Sequence, residues 1–188
     1  THAITATSND SAGNTGDESE ELTLVVDLTP PVVTVTGAGV TVAHGGSYTD
    51  LGATALDAVD GAVTVEVTHS VDTAVVGAYT VSYSAMDTAG NTGTTTRTVT
   101  VKDLTPPVIT LTGAETVEQE ATVEYVDLGA SASDVLDGTV VVVVDDSLVD
   151  VSIVGTYTVS YSATDAAGNK TTKTRTVNVK DTTPPVIS

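Results

Sequence analysis

The chain predicts an all-β protein made of tandem antiparallel β-sandwiches. Three observations carry that expectation: a composition dominated by β-branched residues, an internal repeat of just under 80 residues, and short alternating segments punctuated by turn residues. Of 188 residues, 37 are Thr and 34 are Val, while Cys, Trp and Phe are absent. β-Branched side chains fit a pleated strand and lose rotamer freedom in a helix. A 40% hydrophobic content builds cores, but 3% aromatic content keeps them small and mostly of Val, Ile and Leu. Without cysteine no disulfide staples them, and a small β-domain then needs support elsewhere; recurrent Asp suggests a cation.

Repetition fixes the organisation. DLTPPVVTVTG starts at Asp27, DLTPPVITLTG at Asp103 and DTTPPVIS at Asp181, spaced 76 and then 78 residues apart. YTDLGATALDAVDG from Tyr48 matches YVDLGASASDVLDG from Tyr125, and GAYTVSYSAMDTAGN from Gly77 matches GTYTVSYSATDAAGN from Gly155. Residues 27–102 and 103–180 are therefore expected as two complete repeats. Residues 1–26 read as the C-terminal strands of a preceding repeat, and 181–188 as the start of a following one. The first residue is Thr and no signal peptide precedes it, so a piece of a longer protein is expected.

Within a repeat the punctuation favours about seven short strands. Pro30 and Pro31 cannot donate to a ladder and stiffen the entry. Val32 to Thr36 is a first strand, Gly37 to Gly39 a turn or sheet switch, and Thr41 and Val42 its continuation. Gly52 to Leu56 is a second strand ending in the Asp-rich loop Asp57 to Gly61. Val63, Val65 and Val67 alternate with Thr64, Glu66 and Thr68, the period of one half-buried strand. Tyr79, Val81, Tyr83 and Ala85 alternate likewise, and a Gly-containing turn from Asp87 to Asn91 leads into Thr94 to Lys102.

The DxTPP linker, the DLGA…DG segment and the G-x-Y-T-V-x-Y-x-A-x-D-x-A-G-N hairpin resemble the immunoglobulin-like, HYR-like tandem repeats of bacterial surface adhesins and other large extracellular proteins. The resemblance covers nearly the whole chain. It implies immunoglobulin-like sandwiches arranged end to end, a location outside the cell or on its surface, and a structural or adhesive role.

Such a sandwich places the N-terminal linker beside the loops between strands B and C and between F and G. That would gather Asp27, Asp57, Asp60, Asp87 and Asn91 in the first repeat, and Asp103, Asp134, Asp137, Asp165 and Asn169 in the second. Hard oxygen donors from three loops suit Ca²⁺. Asp72 and Asp150, on the loop between E and F of the preceding repeat, are expected to close the site. The competing reading assigns these residues to turn geometry and solubility alone.

Other residues have blander readings. Asp50 and Asp127 are expected to cap an Asx turn rather than ligate. Tyr79 and Tyr157 sit where a tyrosine corner would bond back to backbone, and Tyr83 and Tyr161 should pack inward. Arg97 and Arg175 share the inward face, with the guanidinium expected to reach the rim and pair there with a nearby Asp. The run Val140 to Val144 makes both faces of a strand apolar, marking either a lateral contact or a strand covered on both sides, with Asp145 and Asp146 as gatekeepers.

Twenty-five acidic residues against six basic ones, a net charge of -19, exclude a nucleic-acid partner, since phosphate binding needs clustered Lys and Arg. No apolar run is long enough to insert in a membrane. His2, His44 and His69 lack metal-ligand spacing, and catalytic motifs are missing, so no enzyme is expected. An isopeptide crosslink through Lys102 or Lys180 finds no support in the spacing. The first functional expectation is a stalk whose partners are neighbouring repeats of the same polypeptide, stiffened by calcium at the linkers. The alternative is a subunit of an extracellular filament or surface layer, in which identical chains complete one another by strand addition. A carbohydrate-binding module is a third reading, against which stands the thin supply of six Tyr.

Overall fold

The computed structural model describes residues 2–186. Thr1, Ile187 and Ser188, the outer ends of the two expected partial repeats, lie outside the described residues. Helix is absent among those described, so none is long and apolar enough to cross a membrane. An N-terminal hairpin pairs β1 (His2–Ile4) with β2 (Leu22–Leu24). Two sets of seven strands follow, as the punctuation predicts. The first is β3 (Val32–Val35), β4 (Val40–Ala43), β5 (Ala53–Asp57), β6 (Gly61–Val63), β7 (Glu66–His69), β8 (Gly77–Met86) and β9 (Thr92–Lys102). The second is β10 (Val108–Leu111), β11 (Thr116–Glu120), β12 (Ala130–Asp134), β13 (Gly138–Val140), β14 (Val142–Asp145), β15 (Gly155–Thr164) and β16 (Lys170–Lys180).

Each set forms two sheets. In the first, β3-β5-β6 makes one and β4-β9-β8-β7 the other; in the second, β10-β12-β13 and β11-β16-β15-β14 repeat the same orders. Two compact units result, one of Thr1–Val40, Tyr48–Asp72 and Ala78–Thr100, the other of Thr41–Ser47, Thr73–Gly77 and Val101–Ser188. The second repeat's core is Ile109, Ala132, Val159, Tyr161, Ala163, Val177 and Val179. Val81, Tyr83, Ala85 and Val99 are buried correspondingly in the first. Alternation within β8 and β15 is what delivers these residues to one face.

Pairing in the second repeat is antiparallel except at its edge. There β11 runs parallel to β16, from Thr116 opposite Thr176 to Glu120 opposite Lys180. The edge is therefore closed by a strand that enters the repeat early in sequence, as a sandwich requires if its terminal strands are to be covered.

Two expectations are corrected here. Val63 to Thr68 is not one strand: Val63 lies opposite Ala55 in the three-stranded sheet, whereas Val67 lies opposite Tyr83 in the four-stranded one. The chain crosses between layers at Thr64 and Val65. Both layers face a common interior, so a crossing strand keeps its alternation and the period does not reveal the switch. The Asp57 to Gly61 loop accordingly closes a hairpin within one sheet rather than bridging the two. Val140 to Val144 has the same cause: Val140 pairs with Ala132 and Val142 with Ala163, and the crossing residue Val141 is 81% exposed. Val143 and Val144 are also exposed, so this edge strand is not covered on both sides.

Candidate cation site

The site is assembled from three turns that the sequence encodes locally. The first is the Asp-x-Ala-Gly-Asn turn joining the last two strands. Asp87 N donates to Asn91 O at 3.0 Å, Asn91 N to Asp87 Oδ1 at 2.7 Å, and Asn91 Nδ2 to Asp87 Oδ2 at 2.8 Å. Asp165 and Asn169 repeat it with distances of 3.1, 2.7 and 2.8 Å. Asp10 and Asn14 in the β1–β2 hairpin make the same bonds, at 2.9, 2.9 and 2.8 Å. The β1–β2 hairpin thus carries a third copy of this turn. Gly90 and Gly168, both at φ +91°, supply the left-handed backbone that the turn needs.

The second element is the turn after β5. Asp57 Oδ1 accepts from Val59 N at 2.7 Å and Asp60 N at 3.0 Å; Asp134 Oδ1 accepts from Leu136 N at 2.7 Å and Asp137 N at 3.1 Å. These N–H groups stabilise the ionised carboxylate, so both groups are held below the usual carboxylate range, Asp57 by the Asp60 N–H first and Asp134 by that of Leu136. The third element is the linker. Asp27 Oδ1 accepts from Thr29 N and Asp103 Oδ1 from Thr105 N, each at 3.0 Å. Asn91 Nδ2 reaches Asp27 O and Asn169 Nδ2 reaches Asp103 O, each at 3.3 Å, so each linker is tied to the repeat that follows it. In the first repeat the approach is close enough that a Cβ on Gly93 would lie 1.8 Å from Pro31 O.

These turns bring carboxylates together. Asp27, Asp57 and Asp87 each offer an oxygen within 4.8 Å of the others, as do Asp103, Asp137 and Asp165. In the turns of Asp27, Asp57, Asp103 and Asp134 Oδ1 builds the turn, and Oδ2 is buried with no hydrogen-bond partner. A buried anionic oxygen without a donor is unfavourable by itself, and several facing one another repel. Carboxylate and amide oxygens of this kind match the hard-donor preference of Ca²⁺.

Not every expected ligand converges. Asp60 instead accepts from Thr88, and Asp134, although its Oδ2 is unpartnered, stands outside the tightest triad. Asn91 and Asn169 brace the turn through Nδ2. Asp72 and Asp150 belong to neither triad. Both are exposed, and Asp150 Oδ1 accepts from Ser152 N and Oγ at 2.9 and 2.6 Å, an ordinary loop cap.

A second constellation, of which the sequence suggested only an arginine–aspartate pair, lies inside each repeat. Asp50 Oδ2 accepts from Gly52 N at 2.9 Å, the expected Asx turn. Its Oδ1, however, accepts from Tyr83 Oη at 2.6 Å, Tyr48 Oη at 2.9 Å and Arg97 Nη1 at 2.9 Å. Asp127 repeats this with Tyr161, Tyr125 and Arg175. The guanidinium does not reach the rim as expected: Arg97 is 4% exposed and Arg175 is fully buried. Backbone carbonyls of Thr36 and Gly52 accept from Arg97 Nη2, whose Nε is left without a partner, and those of Thr112, Ala114 and Gly129 accept from Arg175. The signal was available in the tyrosine, aspartate and arginine that recur in both copies. Tyr157 bonds back to Ile153 O at 2.8 Å, as a tyrosine corner should.

The family model described as "Bacterial surface protein, Ig-like domain" matches residues 33–101 and 109–179. Over 122 residues the chain is 38% identical to an uncharacterised 81.3 kDa protein of Acholeplasma phage L2, a match covering 61% of this chain and 16% of that protein. Over 200 residues it is 34% identical to hyalin of Lytechinus variegatus, covering 95% of this chain and 37% of hyalin. The chain thus spans well under half the length of these relatives. Among solved structures, the M60 catalytic domain with the CBM51-1 and CBM51-2 domains from Clostridium perfringens ZmpB aligns with a TM-score of 0.43 at 18% identity, covering 95% of this chain and 33% of that one.

Proposed function

Because the chain belongs to the family of bacterial surface protein immunoglobulin-like domains, we propose that residues 27–102 and 103–180 are structural spacer repeats of an extracellular, adhesin-like protein, stiffened by calcium at their linkers. The observation that carries the reading is the convergence, in both copies, of the linker aspartate with the turn aspartates of the repeat that follows it. Asp27, Asp57 and Asp87 would hold one ion, and Asp103, Asp137 and Asp165 another, with the unpartnered Oδ2 atoms supplying donors. A bound cation supplies the charge that three facing carboxylates lack. The chain's own part is to present those oxygens from turns already held by backbone N–H groups, so little ordering is left to be done on binding. Joining the linker to the repeat restricts bending there, and function then resides in length and stiffness.

Thermal unfolding and solution scattering of the chain, with Ca²⁺ and with chelator, test the proposal. Ca²⁺ should raise Tm by several degrees and lengthen the particle, because a ligand bound only to the folded state stabilises it. Unchanged Tm and dimensions would remove calcium from the account.

The filament alternative is favoured by one observation. Ile4, Leu22, Leu24, Val25 and Val26 of the N-terminal hairpin segment are exposed, although the hairpin strands of the complete repeats bury their apolar face. Polymers that grow with protein concentration in sedimentation experiments would support it; a monomer at all concentrations would support the spacer.

A further inference from the structure

The two repeats build their triads from different turn carboxylates and differ in what holds the one left over. We propose that the second repeat binds Ca²⁺ more tightly than the first, because Thr88 withdraws Asp60 from the ligand set whereas Ala166 leaves Asp137 in it. The inference rests on the cation reading above and makes the residue after the last turn aspartate its affinity determinant.

Asp60 and Asp137 hold the same place, three residues after the Asx-turn aspartate and just before glycine. Each faces the turn between the last two strands of its repeat, and there the copies diverge. In the first, Thr88 N donates to Asp60 Oδ2 at 2.7 Å, and Thr88 Oγ1 lies 3.0 and 2.8 Å from Oδ1 and Oδ2. Both oxygens are engaged from one side. In the second, Ala166 N donates to Asp137 Oδ2 at 2.7 Å, and no hydroxyl is present to hold Oδ1. The converging triads follow suit: Asp27, Asp57 and Asp87 omit Asp60, whereas Asp103, Asp137 and Asp165 include Asp137.

Each cluster also contains a carboxylate more than nine-tenths buried whose Oδ2 has no donor, Asp57 at 5% exposure and Asp103 at 7%. These orphaned anionic oxygens point to a cation independently of the clustering. Asp134 adds another unpartnered Oδ2 to the second repeat. Each site thus starts from three carboxylates, Asp27, Asp57 and Asp87 in the first and Asp103, Asp137 and Asp165 in the second; the remaining turn carboxylate is held by Thr88 in the first, Asp60, and keeps a free oxygen in the second, Asp134, which is available to join an ion. Ca²⁺ affinity follows the number of charged ligands. A carboxylate held by a hydroxyl must also surrender that bond before it turns to an ion.

Isothermal titration of the full 188-residue chain with CaCl₂ at fixed ionic strength should resolve two sites with dissociation constants about tenfold or more apart, a difference of ~1.4 kcal/mol. Asp103→Asn should abolish the tighter one. Thr88→Val, which keeps the shape and removes the hydroxyl, should move the weaker constant toward the stronger, and Ala166→Thr should do the reverse. Both positions are exposed, so the cores are untouched; Thr88→Ala repeats the test should the valine disturb the turn. Two sites of equal affinity, or constants indifferent to Thr88→Val and Thr88→Ala, would overturn this inference while leaving the cation reading intact. Absence of any Ca²⁺ binding would overturn both.

Discussion

Asp127 and its counterpart Asp50 show how one side chain serves two ranges of structure. Oδ2 closes a local Asx turn, and Oδ1 gathers a tyrosine from two residues away with a second tyrosine and an arginine from distant strands. Burial alone pushes the Asp127 carboxyl up, but the Tyr161, Tyr125, Gly129 and Arg175 donors outweigh it, and the group titrates below the ordinary carboxylate value. Asp50 behaves alike through Tyr83, Tyr48, Gly52 and Arg97. With the folded value depressed, the stability this network contributes is present above the unfolded carboxylate pKa of about 3.9. It is lost as pH falls through the lower folded value, so an acid-unfolding curve followed by circular dichroism should keep its plateau through pH 5 and fall below about pH 4. The alkaline side has the opposite sign. Burial, and then the bond to Asp50, push the Tyr83 phenol up to about 12, so stability is full below the unfolded tyrosine value of about 10 and declines toward 12. Phenolate absorbance should accordingly show a tyrosine titrating near 12 in the folded chain. Arg175→Met strands a buried carboxylate, and a loss of about 3 to 5 kcal/mol is expected from the shift in urea midpoint.

At the scale of the element, the bend after β11 carries a strained residue. Thr122 sits at φ 62°, unusual for a β-branched side chain. Its N–H donates to Val151 O at 2.8 Å, immediately after Ala121 N donates to Lys180 O at 2.7 Å. The first repeat makes the same two bonds from Gly45 and His44, with Gly45 at φ 70°. The left-handed conformation disfavours residues with a Cβ by roughly 1 to 2 kcal/mol, and the greater unfolded-state freedom of glycine offsets part of that. Thr122→Gly should therefore stabilise the chain by about 0.5 to 1 kcal/mol in urea denaturation; destabilisation would mean that the threonine side chain packs well enough to offset the strain. The paired crossings at Thr64–Val65 and at Val141 belong to this scale too. Each lets one short segment serve both sheets.

For the whole molecule, local structure leaves charge repulsion unbalanced. A net charge of -19 on 188 residues repels itself within the compact state, and the aspartate triads concentrate that repulsion at the linkers. In chelator, raising NaCl from low to molar concentration should therefore raise Tm by several degrees, because screening shortens the reach of the repulsion to about 3 Å at 1 M. With Ca²⁺ bound the same salt series should move Tm much less; an equal response in both conditions would place the repulsion outside the triads. Tandem repetition multiplies such a property, since each repeat brings its own linker aspartate and its own turns.

By itself the sequence determined the features that arise within a few residues: the β class from Thr and Val, the repeat from its restated motifs, the strand edges from Pro and Gly, and the Asx turns at Asp57, Asp87 and their counterparts. Backbone preference and turn geometry act over such distances, so local pattern suffices to read them. Only the tertiary structure decided which sheet each half of Val63 to His69 joins, that Arg97 and Arg175 are buried on Asp50 and Asp127, and that Asp137 converges with its neighbours while Asp60 is held by Thr88. Those outcomes depend on partners outside the local pattern, from Ala55 opposite Val63 to Asp127 beside Arg175, 48 residues apart, brought together by packing two layers around one core. A two-residue period is identical on either layer, and an aspartate reads the same whether its second oxygen meets a hydroxyl or other carboxylates.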